Sequence, residues 1–266
     1  MDLGIRGRVA IVCAASQGLG KATALSFARE GVDLVICSRD RGRLESAARE
    51  IRTALSEQRS RVLTVVADLT NAADIRSLVA MTFGEFGRVD ILVTNAGGPP
   101  VAGFLDLNDA AWQEGIQLNL MSTIRCIREV LPHMRKQRWG RIVNIASISA
   151  RQPIDDLIVS STVRPGILGL SKVLANQYAR DGVLVNTVTP GYILTDRQKE
   201  LGRARAAKEG IEFDRYMADL VKDIPMSRLG MPGELADVIV FLCSERSSYV
   251  TGVALSVDGG MAKGLL

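Results

Sequence analysis

The chain has 266 residues, of which 47% are hydrophobic and 23% charged, and its formal net charge is +4. No apolar run approaches the ~18 residues of a membrane span, and residues 1–6 lack the apolar core of a signal peptide. The charges are mixed in sign along helical stretches, which favours solvated helix faces over nucleic-acid binding. We therefore expect a soluble cytoplasmic protein that binds neither nucleic acid nor membrane.

The first predicted element is a buried strand followed by a glycine turn. Apolar residues predict the strand at Val9–Cys13, and a pattern of helical period follows at Lys21–Glu30. Between them stands Gly18-Leu19-Gly20, where small residues allow a backbone to approach a phosphate at the start of a helix. A plain turn uses the same residues, so the stretch alone leaves nucleotide-diphosphate binding and a simple turn open.

The rest of the chain alternates between strand and helix patterns. Runs rich in β-branched residues predict strands at Val32–Cys37, Val62–Val66, Ile91–Thr94, Arg141–Ile145, Leu184–Val188 and Val253–Val257. Amphipathic stretches predict helices at Arg41–Leu55, Ala72–Phe86, Asp109–Arg138, Ser160–Arg180 and Gly233–Ser244. This alternation predicts an α/β fold in which a parallel sheet is covered by helices on both faces.

The segment Asp196–Arg228 interrupts the alternation. It is charged, is broken by Gly202 and Gly210, and lies between a strand and the next helix. Because long insertions in compact domains are usually functional, we favour an inserted helical lid at about 196–228 over a solvated connector.

Polar or small residues follow the predicted strands, at the sheet edge where doubly wound folds bind ligands. Ser38 and Arg39 follow the second strand, where an NAD site would carry an acid for the ribose 2′-hydroxyl. Arg39 suits a 2′-phosphate, which favours NADP, although a surface arginine beside an Asp40 helix cap is the alternative. Asp68 follows the third strand and could accept from an adenine amino group or cap the next helix.

The cysteines do not predict a metal site. Cys13, Cys37, Cys126 and Cys243 fall singly inside apolar patterns, and His133 is the only histidine that could join them. We interpret the four as reduced core residues and expect no metal. His133 falls late in a predicted helix, away from the strand ends, and is interpreted as structural.

The motifs occur in the order of a known family. They are Gly18-Leu19-Gly20, Asp68, Asn95-Ala96-Gly97, Asn119, Ser147, Pro190-Gly191 with Thr195, and Val250-Thr251-Gly252 through Val257-Asp258-Gly259-Gly260. In these the chain resembles the short-chain dehydrogenase/reductases, most closely the 3-oxoacyl-acyl-carrier-protein reductase branch. The resemblance implies one Rossmann-type doubly wound domain over residues 1–266, with a seven-stranded parallel sheet. It also implies hydride transfer between NAD(P) and a small carbonyl or alcohol substrate.

The resemblance also implies a role for each matching residue. Expected against the cofactor are Ser16, Gly18, Leu19 and Gly20 at the diphosphate, Asp68 and Leu69 at the adenine, Asn95 and Gly97 at the adenosine ribose, and Pro190, Gly191, Ile193 and Thr195 around the nicotinamide. Ser147 matches the catalytic serine, and Asn119 matches the active-site asparagine that holds a structural water in the family.

Two positions depart from the family pattern. Cys13-Ala14 replaces the Thr-Gly that opens the glycine loop, so weaker or displaced cofactor binding could follow. Ser160 and Arg164 replace the Tyr-x-x-x-Lys pair, in a register fixed by Gly166–Lys172. Their i, i+4 spacing keeps both side chains on one helical face toward the cofactor.

This second replacement alters the proton chemistry. Serine is a far weaker acid than a phenol of pKa ~10, and Arg164 keeps a positive charge for ribose hydroxyls but cannot relay a proton. Loss of a general acid commonly costs ~10²–10⁴-fold in rate. Asp155 and Asp156, in the preceding loop, are either solvated or a substitute acid. Tyr192 is interpreted as a wall of the pocket.

Two functions therefore remain. One is an NADP-dependent oxidoreductase with an atypical site, in which Ser147 polarises a carbonyl and the proton comes from water, the substrate or a loop acid. The other is a cofactor-binding regulatory protein that does not turn over. The intact Ser147 and Asn119 favour the enzyme. The family resemblance also implies a homodimer or homotetramer. The segments that would form its interfaces are Asp109–Arg138, Ser160–Arg180 and Val250–Leu266.

Overall fold

A central parallel sheet organises the fold, as the alternating patterns predicted. The computed structural model describes residues 2–55, 60–99 and 101–264. The strands are β1 (Val9–Val12), β2 (Asp33–Ser38), β3 (Val62–Val66), β4 (Ile91–Thr94), β5 (Gly140–Ile145), β6 (Val183–Pro190) and β7 (Ala254–Val257). They lie in the order β3-β2-β1-β4-β5-β6-β7, and each neighbouring pair is parallel. The predicted seven-stranded doubly wound sheet is therefore confirmed.

Helices join these strands and cover both faces of the sheet. They are α1 (Gly18–Arg29), α2 (Arg41–Thr53), α3 (Ala72–Phe86), α4 (Asp109–Ile116), α5 (Ser122–Gln137), α6 (Ile158–Val163), α7 (Pro165–Tyr178), α8 (Asp196–Glu209), α9 (Phe213–Leu220) and α10 (Pro232–Leu242). Among the residues that the structure describes, no helix is both long and apolar enough to cross a membrane.

The central strands are buried because their side chains alternate between two apolar layers. In β1, Ala10 and Val12 belong to the layer formed with α1 and α10. Ile11 and the following Cys13 belong to the layer formed with α3 and α5. This period-two alternation, apolar on both sides, is typical of a parallel strand with helices on each face.

All four cysteines are free and buried, as predicted. The hydrogen bond with the Cys126 thiol and burial raise the pKa of Cys13, the hydrogen bond with the Cys13 thiol and burial raise the pKa of Cys37, and burial raises the pKa of Cys243. These thiols therefore stay protonated at neutral pH. Within the described ranges, no group of three or more His, Cys, Asp or Glu side chains is arranged to hold a metal ion.

Two helices predicted as continuous are interrupted in the structure. The stretch Asp109–Arg138 forms α4 and α5, joined by a π-helical turn at Gln117–Met121 that contains Asn119. The stretch Ser160–Arg180 divides into α6 and α7 at Arg164, because Pro165 has no N–H and begins a new helix. Both predictions of single helices were wrong, and both interruptions fall at candidate site residues.

The segment Asp196–Arg228 contains α8 and α9, so its predicted helical content is confirmed. Gly210 ends α8 with a φ of +68°, a left-handed conformation that favours glycine. Gly202, however, lies inside α8, and the prediction that it breaks the segment was wrong. A Cβ at Gly202 would lie 3.0 Å from Met217 Sδ and 3.1 Å from a ring carbon of Phe213, so glycine lets α9 approach α8.

Candidate active site

A cavity of about 390 Å³ lies at the carboxyl edge of the sheet. Its walls come from the segments that follow β1, β2, β3 and β4, on either side of the point where the strand order reverses. The predicted cofactor residues that line it are Ser16, Gly18, Leu19, Ser38, Arg39, Asp68, Leu69, Asn95, Gly97, Arg164 and Thr195. In open α/β sheets, this position is the general ligand site.

A second cavity, of about 170 Å³, adjoins the first. The residues that line both are Leu19, Gly98, Ala146, Arg164, Thr195 and Arg197. Ser147, Ser160, Pro190, Gly191 and Ile193 line only the smaller one. The two cavities therefore form one continuous site. Arg164 lies at their junction, and Ser160 lies in the smaller cavity.

The glycine turn forms the first turn of α1. Gly18 has a φ of +57° and lines the larger cavity. Gly20 lines neither cavity, and a Cβ there would lie only 2.4 Å from the carbonyl oxygen of Ala14. Its role in the structure is close backbone packing, while Ser16 and Gly18 form the cavity wall.

Ala14 holds a conformation that disfavours side chains. Its φ is +49°, in the left-handed region where a β-carbon costs about 1–2 kcal/mol. This is the position where the resemblance described above implies a glycine. We expect Ala14→Gly to raise the free energy of unfolding by about 0.5–1 kcal/mol, after allowing for the extra chain entropy of glycine.

Urea unfolding of the two proteins measures this difference. The matched control is Ala96→Gly, which lies on the same cavity wall, is also half-buried, and has no positive φ. The control should lose stability. A loss in Ala14→Gly as well would contradict the assignment of strain.

Two arginines lie in the part of the larger cavity that follows β2. Arg39 is exposed and lines the cavity with Ser38. Asp40 caps α2, as the alternative interpretation of this turn held, since its Oδ1 accepts from the Arg43 backbone N at 2.9 Å. Arg43 also lines the cavity, and its Nη1 donates to Gln17 Oε1 at 3.3 Å. Two guanidinium groups therefore lie where the sequence predicted one.

Asp68 does not cap the next helix, so that alternative was wrong. Asn71 caps α3, by accepting from the backbone N of Ala73. Asp68 Oδ1 instead accepts from the backbone N and Oγ1 of Thr70, at 2.9 and 2.8 Å. Burial alone would raise the pKa of Asp68, but the Thr70 hydrogen bonds and the charge of Arg39 bring it below its usual value.

The serines follow β5 and face the smaller cavity. Ser147 caps a short 3₁₀ turn, with its Oγ accepting from the Ser149 backbone N at 3.1 Å. Ser160 is buried, and its Oγ is hydrogen-bonded to Ser149 Oγ at 2.8 Å. Ser149 therefore links the two candidate catalytic hydroxyls.

Arg164 is buried at the junction of the two cavities. Its Nη1 donates to the carbonyl oxygens of Ala146 and Ile145, while its Nε has no partner among the residues described. Burial lowers its pKa to about 10, so the side chain stays positively charged at neutral pH. No described carboxylate offsets this charge.

Asn119 lies in the π-helical turn, behind the cavity wall. It is buried, and its Nδ2 donates to the Gly115 carbonyl oxygen at 3.2 Å. It lines neither cavity. The structure therefore brings Ser147, Ser160 and Arg164 together at the cavities and leaves Asn119 out of both cavity walls.

The remaining candidates do not face the cavities. Asp156 forms a bidentate ion pair with Arg205 of α8, with both N–O distances 2.7 Å, and Asp155 is exposed. Tyr192 lines neither cavity, so its interpretation as a pocket wall was wrong; it packs in an apolar cluster, and burial raises its pKa. His133 stacks on Phe83 with ring centroids 4.0 Å apart, a structural position as interpreted.

Sequence reasoning missed several polar residues of the site. Among them are Gln17, Arg43, Ser149, Asp196, Arg197 and Gln198. Arg197 and Gln198 stand in the first turn of α8, directly after the Thr195 cap, and Arg43 lies one helical turn beyond Arg39. For Arg43 the available signal was its position three residues after the possible cap at Asp40.

The fold and the two cavities define the class as a doubly wound α/β protein with a ligand site at the carboxyl edge of its sheet. The family model described as "Enoyl-(Acyl carrier protein) reductase" matches residues 13–262. The chain is 33% identical to the 3-oxoacyl-acyl-carrier-protein reductase FabG of Aquifex aeolicus, over 98% of this chain and 100% of that protein. It therefore belongs to the short-chain dehydrogenase/reductase family of oxidoreductases.

Solved structures agree with this assignment. The chain is similar to the L-sorbose reductase of Gluconobacter frateurii complexed with NADPH and L-sorbose, with a TM-score of 0.94, 35% identity and all of both chains covered. It is also similar to an NADPH-bound short chain oxidoreductase of Pseudomonas aeruginosa PAO1 described as containing an atypical catalytic center. That match has a TM-score of 0.88, 31% identity and 97% coverage of each chain.

Proposed function

We propose that this protein is an NADPH-dependent oxidoreductase that interconverts a small carbonyl compound and its alcohol, with Ser147, Ser160 and Arg164 in place of the family's usual site. The observation that carries the proposal is the continuity of the two cavities. One holds Arg39, Arg43 and the glycine turn, and the other holds the three site residues. Two similar structures contain NADPH, including one described as having an atypical catalytic center.

The residues present fit the proposed cofactor. A β-carbon at Gly20 would collide with the Ala14 carbonyl oxygen, so glycine at this position lets the turn pack closely. The backbone at Ser16 and Gly18 can then approach a diphosphate. Arg39 and Arg43 offer charged donors for a 2′-phosphate. A bound reduced nicotinamide would supply a hydride to the substrate carbon.

The chain's own residues then stabilise the developing negative charge on the substrate oxygen. Ser147 Oγ donates a hydrogen bond to that oxygen, and the Arg164 guanidinium stabilises it electrostatically from the cavity junction. Ser160 and Ser149 hold the wall beside it through their 2.8 Å hydrogen bond. The proton comes from water, because neither serine nor a charged arginine is an effective acid at neutral pH.

Residues 196–228 act in this proposal as a lid over the smaller cavity. The first turn of α8 contributes Arg197 and Gln198 to its wall. The ion pair between Arg205 and Asp156 fixes α8 to the loop before α6. Arg205 Nη1 also donates to Tyr216 Oη of α9 at 3.3 Å, which joins both helices of the lid to that loop.

Anaerobic mixing with NADPH and a panel of ketones, imines and quinones tests the function. We expect loss of the reduced-nicotinamide absorbance with at least one carbonyl compound. Silence across the panel, together with tight NADPH binding, would contradict the proposal and indicate a regulatory cofactor-binding protein.

Cofactor choice follows from Arg39. A charge-assisted contact to the 2′-phosphate should favour NADPH over NADH by roughly tenfold or more. Calorimetric titration of both cofactors measures this ratio. Arg39→Ala should lower it, whereas Arg41→Ala, an exposed neighbour that lines neither cavity, should not. Equal affinities in the unmodified protein would contradict the proposed preference.

We further propose a homodimer or homotetramer. Val173 of α7 and Leu255 of β7, the edge strand, are 52% and 41% exposed. Residues 265 and 266 of the predicted surface lie outside the described residues.

Sedimentation velocity at micromolar concentration should show two or four chains, and Leu255→Asp should shift them toward monomer. Met81→Asp, at a similarly exposed site on α3, should not. A monomer in the unmodified protein would contradict the proposal.

A further inference from the structure

The smaller cavity is lined by donors and positive charge. Arg164, Arg197 and Gln198 contribute guanidinium and amide groups, and Ser147 and Ser160 contribute hydroxyls. Among the described residues on its wall there is no carboxylate. A partly buried wall of one charge sign stabilises a ligand of the opposite sign more strongly than the same charges would in water.

Two of these side chains carry buried donors without a partner. Arg164 Nε and Gln198 Nε2 make no hydrogen bond to any described residue, and the two residues are only 8% and 9% exposed. A buried polar group left unpaired is costly and calls for an acceptor. Gln198 is held in place from α8, because Thr195 Oγ1 accepts from its backbone N at 3.2 Å.

Arg197 adds a positive charge whose ion pair within the described residues is weak. It lines both cavities. Its ion-pair partner among the described residues is Glu200, at 4.0 Å along the exposed face of α8. An exposed pair at that distance contributes little to stability. The Arg197 guanidinium is therefore available to donate two hydrogen bonds to one carboxylate.

We propose that the substrate is a short-chain oxo acid, with its carboxylate bound by Arg197 and Gln198 and its carbonyl oxygen beside Ser147 and Arg164. This inference rests on the proposed oxidoreductase function. In the reduction, the carbonyl carbon accepts a hydride from NADPH, the C=O π bond breaks, and the oxygen takes a proton from water. Oxo acid, NADPH and one proton thus give hydroxy acid and NADP⁺.

The size of the cavity favours a short chain. Its volume of about 170 Å³ is below the ~300 Å³ at which sites for drug-sized ligands begin. Pro190, Gly191 and Ile193 share this wall. A long acyl chain would therefore extend beyond this wall, whereas an acid of a few carbons stays within it.

Matched acids and esters test the inference. With NADPH as reductant, we expect kcat/KM for 2-oxobutanoate or 3-oxobutanoate to exceed that of its methyl ester by at least tenfold. Arg197→Gln should remove most of this preference, and Gln198→Glu should reverse it by repelling the anion. Arg203→Gln is the matched control, because Arg203 lies on the same helix but is exposed over the Phe213 ring. It should leave the ratio unchanged.

The same comparison of acid and ester separates an effect on cofactor binding from an effect on substrate binding. Arg197 also lines the larger cavity, so weaker NADPH binding in Arg197→Gln would lower acid and ester rates alike and leave their ratio unchanged. That result would overturn the inference and assign Arg197 to the cofactor. Reduction of esters and acids with equal kcat/KM in the unmodified protein would also overturn it, while the oxidoreductase function would stand.

Binding provides a readout that does not depend on turnover. Calorimetric titration of 2-oxobutanoate and 3-oxobutanoate into the NADP⁺ complex should show saturable binding that Arg197→Gln weakens by about tenfold or more. If an acid binds in this way but no carbonyl compound is reduced, the anion site stands and the proposed function fails. If neither acid binds and neither is reduced, the inference is overturned.

Discussion

Ser160→Tyr combined with Arg164→Lys is expected to raise the reduction of simple diketones by ~10²–10⁴-fold, the contribution of a general acid. The double variant introduces a phenol beside an ammonium group that lowers the phenol pKa. Ser160 lines the smaller cavity, so the ring can extend into open space next to Leu157. Overpacking there would cost ~1–3 kcal/mol, so folding is checked first by denaturant unfolding.

A ring without the hydroxyl is the control for this gain. Ser160→Phe with Arg164→Lys fills the same space, and like the tyrosine it removes the hydrogen bond to Ser149. It should show no gain over the unmodified protein. If the unmodified protein reduces a substrate well and the folded tyrosine variant loses that activity, the weakened-reductase account is contradicted. Ser160 and Arg164 would then be a working site for different chemistry.

Ser147→Ala is expected to lower kcat by about 10²–10³-fold, the usual effect of removing one donor to a developing oxyanion. Affinity for NADPH should change little, because the proposal assigns the Ser147 hydroxyl to the substrate oxygen and not to the cofactor. The substitution also removes the cap of the 3₁₀ turn, whose hydrogen bond to the Ser149 backbone N is worth ~1 kcal/mol. Stopped-flow measurement of the hydride-transfer rate at saturating NADPH separates catalysis from folding.

Ser147→Thr distinguishes the two roles of the hydroxyl. Threonine keeps both the cap and the donor, so most of the rate should return. Ser149→Ala, which removes the hydroxyl hydrogen-bonded to Ser160, should lower the rate by less than Ser147→Ala. An unchanged hydride-transfer rate in folded Ser147→Ala would contradict its assignment as the donor to the substrate oxygen.

The sheet could be predicted because its signal is local. Most of the strands are short apolar runs rich in β-branched residues, and Ile91–Thr94 and Val62–Val66 were predicted with the bounds that the structure has. Burial on both faces of β1 follows from the same run, since neighbouring side chains enter opposite layers. Strand ends then indicate where ligand-binding residues should be sought.

Helix interruptions were harder to predict because an amphipathic pattern passes through them. The π-helical turn at Gln117–Met121 keeps the chain helical and adds one residue to a turn. In a stretch as long as Asp109–Arg138, one added residue leaves the amphipathic pattern recognisable as a single helix. Pro165 did carry a signal, since a proline favours the first turn of a helix over its interior. The break it makes places Arg164 between two helices instead of within one.

The charged wall of the smaller cavity could not be derived from sequence order alone. Arg197 and Gln198 stand in a polar segment whose composition is that of a solvated helix, and only the fold brings them to the cavity that Ser147 lines. The Ser149–Ser160 hydrogen bond likewise joins residues 11 positions apart through a loop of irregular structure. Such contacts depend on tertiary packing, which local patterns do not encode.

Deuterium transfer tests the central claim most directly. The protein would be mixed with NADPH deuterated at the transferable C4 position and the carbonyl compound that it reduces fastest, and the alcohol product examined by mass spectrometry. We predict one deuterium on the former carbonyl carbon, with a rate that falls in Ser147→Ala. A product without deuterium, or deuterium transfer at an unchanged rate in folded Ser147→Ala, would contradict hydride transfer at the site formed by Ser147, Ser160 and Arg164.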